Sequence, residues 1–289
     1  MKVTGFTFIR NAIKYDYPII EAINSILPLC DNFVVAVGNS EDETLKLISE
    51  INPQKIQIIE TIWDDSLREG GKVLAVETDK AFQEISKDSD WAFYIQGDEV
   101  IHEKYHQNIK NAMLKWKDNK KVDGLLFKYL HFYGSYDYLG VSPQWYGNEI
   151  RIIKNNKKIY SYRDAQGFRK NENEKLNVKT IDAYVYHYGW VKEPKAMQRK
   201  QENFHKLWHD QNWIDKNIIK ADAFDYSNID ALKKFEGSHP KVMNSRVEKT
   251  NWKFEYDMSF NKLSVKNKTK IFLKEKLNIN LGYKNYIKI

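Results

Sequence analysis

The stretch "WAFYIQGDEVIHEKYH", Trp91 to His106, decides how the fold is interpreted, because its character changes halfway along. It begins with a short and almost wholly apolar run that ends at Ile95, the pattern expected of a strand buried on both faces of a sheet. Two acids, Asp98 and Glu99, follow almost at once. A buried strand that ends on acids places carboxylates at the edge of a sheet.

The sequence before this stretch alternates between strand-like and helix-like patterns. Strands are predicted at 3–9, 33–38 and 55–61, and helices at 16–29, 40–51 and 71–86. Short connections between alternating elements predict a mostly parallel sheet with helices on both faces. Ligands of such sheets bind beyond the carboxyl ends of the strands. The polar residues predicted at those ends include Arg10, Asn11, Asn39, Ser40, Asp42, Gln96 and Asp98.

The chain changes character after about residue 120, where aromatic and β-branched residues alternate with turn signals and predict a small β layer. A helical, amphipathic pattern follows at 195–213, and the sequence from 261 onward is basic. We therefore predict one main domain with a helical, basic appendage. The predicted bounds are 1–210 for the domain, with halves at about 1–100 and 120–190, and 211–289 for the appendage.

The hydrophobic content indicates a globular protein, and the positive net charge suits partners that carry phosphate. Of 289 residues, 42% are hydrophobic and 14% aromatic, while the formal net charge is +7. Cys30 is the only cysteine, so no disulfide can form within the chain. The N-terminus shows no signal-peptide pattern and no apolar run reaches the ~18–20 residues of a membrane span. These features predict a cytoplasmic protein.

One interpretation of the opening stretch is a zinc site. "HEKYH" has the H-E-x-x-H spacing, in which His102 and His106 would bind Zn²⁺ and Glu103 would act as general base. The pattern is short, the residues after it supply no third ligand, and Lys104 places a cation beside the acid. Surface positions on the first turn of a helix explain the same histidines more simply.

The other interpretation is a loop that holds a divalent metal ion. Mg²⁺ and Mn²⁺ prefer oxygen ligands and often link one or two carboxylates to substrate phosphates. Asp98 is the first candidate ligand and Glu99 the second. Both acids would also suit the N-terminus of the following helix, so the local sequence leaves the two roles open.

Several segments together resemble family 2 glycosyltransferases of the GT-A fold, in one bacterial-type branch. They are "RNAIKYDYPIIEAINSILPL", "VGNSEDET", "YIQGDEVIHE", "YGSYDYL", "NEIRIIKN", "DAQGF" and "HYGW". The resemblance covers roughly 3–210. It implies a Rossmann-like GT-A fold with a mixed, mostly parallel sheet, and an inverting transfer of sugar from a nucleotide donor.

The resemblance also implies roles for individual residues on the donor side. Gln96, Gly97 and Asp98 occupy the D-x-D-type metal motif, with Gln96 in place of the first acid. Nucleotide contacts fall on Arg10, Asn11, Asn39, Ser40, Asp42 and Gln96. Lys72 corresponds to a cation that binds the diphosphate, and His187 to a late histidine of the metal or diphosphate site.

On the acceptor side, transfer requires a carboxylate that deprotonates the incoming hydroxyl. Asp164 follows the strand that precedes this base in related enzymes, and Glu149 is the reserve candidate. Glu149 could instead form an ion pair with Arg151 or Arg163. Among the aromatic residues of 129–146, we assign Trp145 and Tyr136 to acceptor contacts, although ordinary packing explains most of that group.

The functional prediction is a hexosyltransferase that uses Mn²⁺ or Mg²⁺ and a UDP- or GDP-linked sugar, with a glycan or glycolipid as acceptor. A basic tail at 261–289 would allow peripheral contact with an anionic membrane. Two alternatives remain at this point. One is the H-E-x-x-H zinc metalloprotease, and the other is a non-catalytic basic module that binds nucleic acid or acidic glycan; for the transferase we expect no nucleic-acid partner.

Overall fold

The computed structural model describes residues 1–67, 69–218, 220–260, 262–277 and 283–289. The predicted appendage and basic tail therefore lie partly outside the described residues, at 219, 261 and 278–282. The strands are β1 (Val3–Ile9), β2 (Asn32–Gly38), β3 (Ile56–Thr61), β4 (Trp91–Tyr94), β5 (Glu99–Ile101), β6 (Gly124–Tyr133), β7 (Tyr138–Gly140), β8 (Asn148–Lys154), β9 (Ile159–Tyr162), β10 (Gly167–Lys170), β11 (Glu174–Trp190), β12 (Leu232–Lys234) and β13 (Tyr286–Lys288). The helices are α1 (Ile19–Ile26), α2 (Thr44–Ser49), α3 (Lys72–Gln83), α4 (His106–Trp116), α5 (Pro194–Phe204), α6 (Gln211–Asn217), α7 (Asn244–Glu248) and α8 (Val265–Leu277).

The described strands form a mixed sheet in the order β3-β2-β1-β4-β8-β6-β11-β10-β9. The four strands β3, β2, β1 and β4 are parallel to one another, which confirms the prediction for the first third of the chain. β8 runs antiparallel to both β4 and β6, and β11 returns parallel to β6. The architecture is the predicted mixed α/β sheet with flanking helices.

Helices cover both faces of this sheet, which explains why its strands are apolar throughout. On β2, Phe33 and Val35 pack with α1 and α4, whereas Val34 and Ala36 pack with α3 on the opposite face. The opening strand alternates in the same way, with Phe93 on the first face and Tyr94 on the second. Burial on both faces therefore selects continuous apolar runs instead of alternating ones.

The short strand β5 determines where the acids after β4 lie. It pairs antiparallel with β11, with Glu99 opposite His187 and Val100 opposite Tyr186. The backbone N–H of Tyr188 donates to the carbonyl of Asp98 at 2.8 Å and extends this pairing by one residue. Asp98 is therefore fixed between the end of β4 and the end of β11.

The C-terminal part of the chain adds to the sheet as well as to the helices. β12 pairs antiparallel with β7, and β13 pairs parallel with β11. The structure thus contains strands in the segment predicted to be a helical appendage, while the division at residue 210 stays a prediction. In the part of the chain that the structure describes, every helix is too short or too polar to cross a membrane.

Candidate active site

A cleft of about 540 Å³ opens at the carboxyl ends of β1, β4 and β11, as predicted for a parallel sheet. Helix α5 and the loop between β9 and β10 form its other walls. Six of the residues predicted for the site line the cleft: Arg10, Asn11, Gln96, Asp98, Asp164 and His187. The structure brings these six together from positions spread over 178 residues, but it places the others elsewhere.

Asp98 lies at the floor of the cleft beside basic groups. Its Oδ2 is 3.5 Å from Lys200 Nζ, and its Oδ1 is 3.8 Å from His187 Nε2. Burial raises the pKa of the Asp98 carboxyl, but the electrostatic effect of the nearby basic groups of His187, Lys200 and Lys192 outweighs burial and holds this pKa below its ordinary value. Asp98 is therefore a carboxylate at neutral pH.

The backbone at Gly189 is packed closely against Asp98 and His187. A Cβ atom at this position would lie 2.7 Å from Asp98 Oδ2 and 2.8 Å from His187 Nε2. Asp98 Oδ1 and His187 Nε2 are 3.8 Å apart, so a divalent ion such as Mn²⁺ at about 2.1 Å from each could lie between this carboxylate and this imidazole. Within the described ranges, no three His, Cys, Asp or Glu side chains form a metal-holding group. Substrate phosphate and water oxygens would have to complete the shell of such an ion.

Glu99, the second predicted metal ligand, faces away from the cleft and is fully buried. Arg151 donates to both of its oxygens at 2.7 Å, and the Tyr129 hydroxyl donates to Oε1 at 2.7 Å. The Gln96 backbone N–H donates to Oε2 at 3.2 Å. With its oxygens engaged in this way, the structure places Glu99 in the core and not in the predicted metal site.

The predicted nucleotide residues divide between two neighbouring hollows. Arg10 lies in the main cleft, where its guanidinium is 5.5 Å from the Trp63 ring centroid and donates to Asp65 at 3.1 Å. Its Nε also donates to the carbonyl of Asn39 at 3.2 Å. Asn39, Ser40 and Asp42 line a second, open hollow of about 630 Å³ beside the ends of β2 and β3.

Asn11 connects these two hollows. Its backbone N–H donates to Ser40 Oγ at 3.1 Å, and its side-chain oxygen accepts from the N–H of Glu41 at 2.7 Å. Asn11 has φ +55°, a left-handed conformation that asparagine tolerates better than most residues. The contacts show Asn11 and Ser40 joining the ends of β1 and β2, which leaves the Arg10 guanidinium, against the buried Trp63 ring, as the polar group of β1 that faces the cleft.

Lys72, the predicted diphosphate cation, lies at the start of α3, is exposed, and does not line the cleft. The sequence reasoning missed two other lysines. Lys200 on α5 donates to the carbonyl of Gly189 at 3.0 Å and lines the cleft. Lys192 is fully buried, donates to the carbonyl of Asp16, and lies 4.9 Å from the Tyr17 ring centroid. Burial, aided by the charge of Lys200, lowers the pKa of Lys192 to about 7.

Asp164 lines the cleft from the loop between β9 and β10. Burial raises the pKa of its carboxyl above the ordinary value, against the lowering effect of Arg163 and Arg151. Its two neighbours, Arg163 and Ala165, have φ of +56° and +62°, which is uncommon for residues other than glycine. Paired left-handed residues around one acid are a local strain of the kind found at functional sites.

Glu149, the reserve candidate, is on β8 and does not line the cleft. Burial raises the pKa of Glu149 to about 8, with Arg151 opposing the shift and Glu99 and Asp164 adding to it. Its Oε2 is buried without a hydrogen-bond partner among the described residues. The geometry therefore describes a neutral carboxylic acid below the cleft floor and not an ion pair with Arg151.

The two predicted acceptor contacts pack against other aromatic residues. Trp145 stacks on His131, with ring centroids 5.2 Å apart, and its Nε1 approaches the backbone at Gly140. Tyr136 is buried against Tyr188 and His239. Neither lines the cleft, whereas Trp190, which the sequence reasoning did not single out, does.

The "HEKYH" segment does not form one helical turn with two converging histidines. His102 ends the extended segment after β5, Glu103–Tyr105 is a 3₁₀ turn, and His106 begins α4. His102 Nε2 lies 3.0 Å from Ser238 Oγ, while His106 Nε2 donates to the carbonyl of Ser25 at 2.8 Å. Since that donating nitrogen has no lone pair to offer, the geometry gives no support to a zinc site here.

No family model and no curated protein matches this chain. Among solved structures, residues 1–349 of S. aureus TarS in complex with UDP are 15% identical, with a TM-score of 0.40; the match covers 77% of this chain and 68% of that one. A longer TarS structure has 16% identity and a TM-score of 0.39, over 70% of this chain and 38% of that one.

Glucosyl-3-phosphoglycerate synthase from Mycobacterium tuberculosis, in complex with Mn²⁺, UDP and phosphoglyceric acid, has 17% identity and a TM-score of 0.29. That match covers 45% of this chain and 43% of the synthase. This chain therefore spans 38% of the longer TarS structure and 43% of the synthase. Similarities at these scores do not establish a function, so the function has to be inferred from the geometry of the cleft.

Proposed function

We propose that this protein is an inverting glycosyltransferase that moves a sugar from a nucleoside diphosphate to a hydroxyl group of a glycan or glycolipid. The observation that carries the proposal is the 3.8 Å approach of Asp98 Oδ1 to His187 Nε2, in a cleft that also holds cations and a second acid. A nucleotide diphosphate needs an anchor for its phosphates, a surface for its base and a base catalyst for the acceptor. The cleft offers one group for each requirement.

The residues of the cleft divide the work as follows. Arg10, whose guanidinium lies against the buried Trp63 ring, presents a flat cationic group to the nucleotide base. Asp98 and His187 would hold a divalent ion, and such an ion would supply positive charge to neutralise the departing diphosphate. Lys200 Nζ, on the other side of Asp98, adds a fixed positive charge for the same phosphates.

Asp164 is the proposed general base. It takes the proton of the acceptor hydroxyl as that oxygen bonds to the anomeric carbon, and the bond from that carbon to the phosphate oxygen breaks with its electrons leaving on the diphosphate. Its raised pKa favours this role, because a base works best when its pKa approaches the working pH. A single displacement inverts the anomeric configuration.

The first experiment is thermal unfolding with uridine, guanosine, cytidine and adenosine diphosphates, each with and without Mn²⁺. A ligand at ~100 times its Kd adds roughly 2.7 kcal/mol of stability, enough to move the midpoint clearly. We expect a Mn²⁺-dependent shift with one base, which Asp98→Asn abolishes. Glu103→Ala is the matched control, because this acid lies outside the cleft and would be essential only in a zinc protease.

The second experiment follows transfer with the matching nucleotide sugar and determines the anomeric configuration of the product by NMR. Inversion supports the proposal, and retention contradicts the single displacement. A protein that binds none of the nucleotides, or whose shift survives Asp98→Asn, is not this transferase. Binding of polyanions alone, weakening steeply with salt, would indicate the non-catalytic module instead.

We also propose that α8 brings the enzyme to an anionic membrane carrying lipid-linked acceptors. Lys266 and Lys268 are exposed on this helix, together with Val265 and Phe272, which are 82% and 57% exposed. Basic residues near an anionic surface contribute about 1 kcal/mol each to attraction. Vesicle sedimentation with a third of the lipid anionic should retain the wild type and release the Lys266→Glu, Lys268→Glu variant; equal retention would contradict the idea.

A further inference from the structure

The Tyr146 carbonyl, His131 and His187 form a chain of hydrogen-bonding groups that ends at the cleft. The backbone carbonyl of Tyr146 lies 2.8 Å from His131 Nε2, and His131 Nδ1 lies 3.2 Å from His187 Nδ1. A carbonyl oxygen can only accept, so His131 Nε2 carries a proton. The neutral His131 ring therefore has a lone pair at Nδ1.

The lone pair on His131 determines the state of the second ring. It can accept only a proton carried by His187 Nδ1, which leaves the neutral His187 ring with its own lone pair at Nε2. Both rings are buried, with His131 3% and His187 9% exposed, and burial favours the neutral form of an imidazole. His187 Nε2 is the atom that lies 2.8 Å from the Cβ position above Gly189.

This arrangement puts two acceptors in front of each other. The Asp98 carboxylate can only accept hydrogen bonds, and its Oδ1 is 3.8 Å from His187 Nε2, which carries the lone pair. Two acceptors at this separation repel unless a cation lies between them. Lys200 approaches the other oxygen of Asp98, Oδ2, so the Oδ1 side faces the imidazole.

We propose that His131 is a positioning residue that locks His187 in the tautomer whose Nε2 can ligate a divalent cation together with Asp98. This inference rests on the proposed cation site but not on which sugar or acceptor the enzyme uses. Histidine ligands commonly have their second nitrogen held by an outer partner, and loss of that partner typically weakens metal binding 10–100-fold. Here the outer partner is itself a histidine, fixed by a backbone carbonyl.

The surroundings of His131 suit a fixed ring. It is 3% exposed, lies between Tyr129 and Trp145 with centroid distances of 5.4 and 5.2 Å, and meets the edge of Tyr146 at 4.4 Å. Rotation of the ring would separate Nε2 from the Tyr146 carbonyl and bury that acceptor without a partner. Trp145, predicted to bind acceptor, thereby acquires the role of holding His131 in place.

The test compares wild type with His131→Asn and His131→Phe. Asparagine puts an acceptor oxygen near the former Nδ1 position, whereas phenylalanine keeps the stacking and removes the acceptor. Long-range ¹⁵N–¹H NMR on the metal-free protein identifies the His187 tautomer, with His187→Ala used to assign its signals. We expect the Nδ1–H form in the wild type and in His131→Asn, and a tautomer mixture in His131→Phe.

Mn²⁺ titration followed by electron paramagnetic resonance measures the consequence without requiring transfer. Binding of Mn²⁺ alone should be 10–100-fold weaker in His131→Phe and close to wild type in His131→Asn. An Nε2–H tautomer in the wild type overturns the inference even if the phenylalanine variant fails to fold. Equal Mn²⁺ affinity in wild type and His131→Phe, including no binding in either, also overturns it, whereas failure of sugar transfer alone would reject only the proposed function.

Discussion

Asp98 and Glu99 are neighbours in the chain, but they lie in two regions with opposite electrostatic character. Asp98 faces the cleft, where its nearest basic atoms are 3.5 and 3.8 Å away. Glu99 is in the core, where Arg151 and Tyr129 satisfy its oxygens at 2.7 Å. One carboxylate has unused capacity for a ligand, and the other has none.

The difference shows that one strand end can supply both a residue that faces the ligand and a residue that stabilises the fold. Side chains alternate in direction along extended backbone, so two successive acids face different environments. The buried acid and Arg151 join β5 to β8, while the acid that faces the cleft stays available at the junction of β4, β5 and β11. The rigid pair thus supports the residue next to it that faces the ligand.

Removing Arg151 is expected to have the largest effect on the difference between these two acids. Arg151→Met leaves Glu99 as a buried charge without its partner, which typically costs 3–5 kcal/mol. We expect chemical denaturation to show a loss of this size. Adding Glu99→Met should recover much of it, because an apolar pair of similar volume often replaces a buried ion pair. A loss below about 1 kcal/mol for the single variant would contradict the structural role.

A second change acts on the cleft and not on the core. Gly189→Ala puts a methyl group between Asp98 and His187, so we expect Mn²⁺-dependent nucleotide binding to weaken on the order of 100-fold. The control is Gly237→Ala, which lies outside the cleft and whose methyl would meet the end of the Phe235 ring at 2.6 Å. Calorimetric titration of both variants measures the effect, and equal affinities would argue against a cation site between Asp98 and His187.

A third prediction concerns pH and the buried acid below the cleft. The folded pKa of Glu149 is raised from 4.5 to about 8, so the folded state holds this proton more tightly than the unfolded chain does. Its contribution to stability is complete below pH 4.5 and is lost as the pH rises to about 8, with a slope of about 1.4 kcal/mol per pH unit at most.

Glu149→Gln should remove this part of the pH dependence, since an amide stays neutral. The measurement is the difference in unfolding free energy between wild type and variant from pH 4 to 9. Taking the difference cancels groups that titrate in both proteins, such as Lys192, whose pKa of about 7 gives the opposite slope at higher pH. Parallel curves for the two proteins would show that Glu149 is not an uncharged buried acid.

The smallest effect is expected at an exposed ion pair, the counterpart of Arg151 and Glu99. Lys128 Nζ is 2.8 Å from Asp182 Oδ1, but the two side chains are 36% and 76% exposed. Water and salt screen such a pair, so Asp182→Asn should leave the unfolding midpoint unchanged within error. A marked shift would mean that burial does not explain the difference between the two kinds of pair.

The first four strands and the position of Asp98 could be predicted from sequence, because both depend on local patterns. Apolar runs such as 33–38 identify strands buried on both faces, and the polar residues after them fall at the sheet edge. Each of these signals lies within about ten residues of the feature it predicts. Long-range pairing was not needed to find them.

The remaining parts of the site depend on pairings that no local pattern shows. Glu99 looks like a metal ligand until Arg151, fifty-two positions further along, is known to lie beside it. Lys200 is one of 46 lysines and arginines, and only the packing of α5 brings it to Asp98. His131 carries no motif, and its role depends on the parallel pairing of β6 with β11.

The pairing of β13 with β11 has a consequence for how the chain folds. Leu176 lies opposite Tyr286, so this contact closes a loop of more than one hundred residues. Contacts between residues so distant in sequence slow folding, because the entropy of closing the loop is lost before the contact forms. On the ribosome, residues 176–178 would emerge with one edge unpaired and wait for the chain to reach residue 288. During that interval the edge is a place where another chain can pair, which makes synthesis and not the finished fold the moment of greatest risk of aggregation.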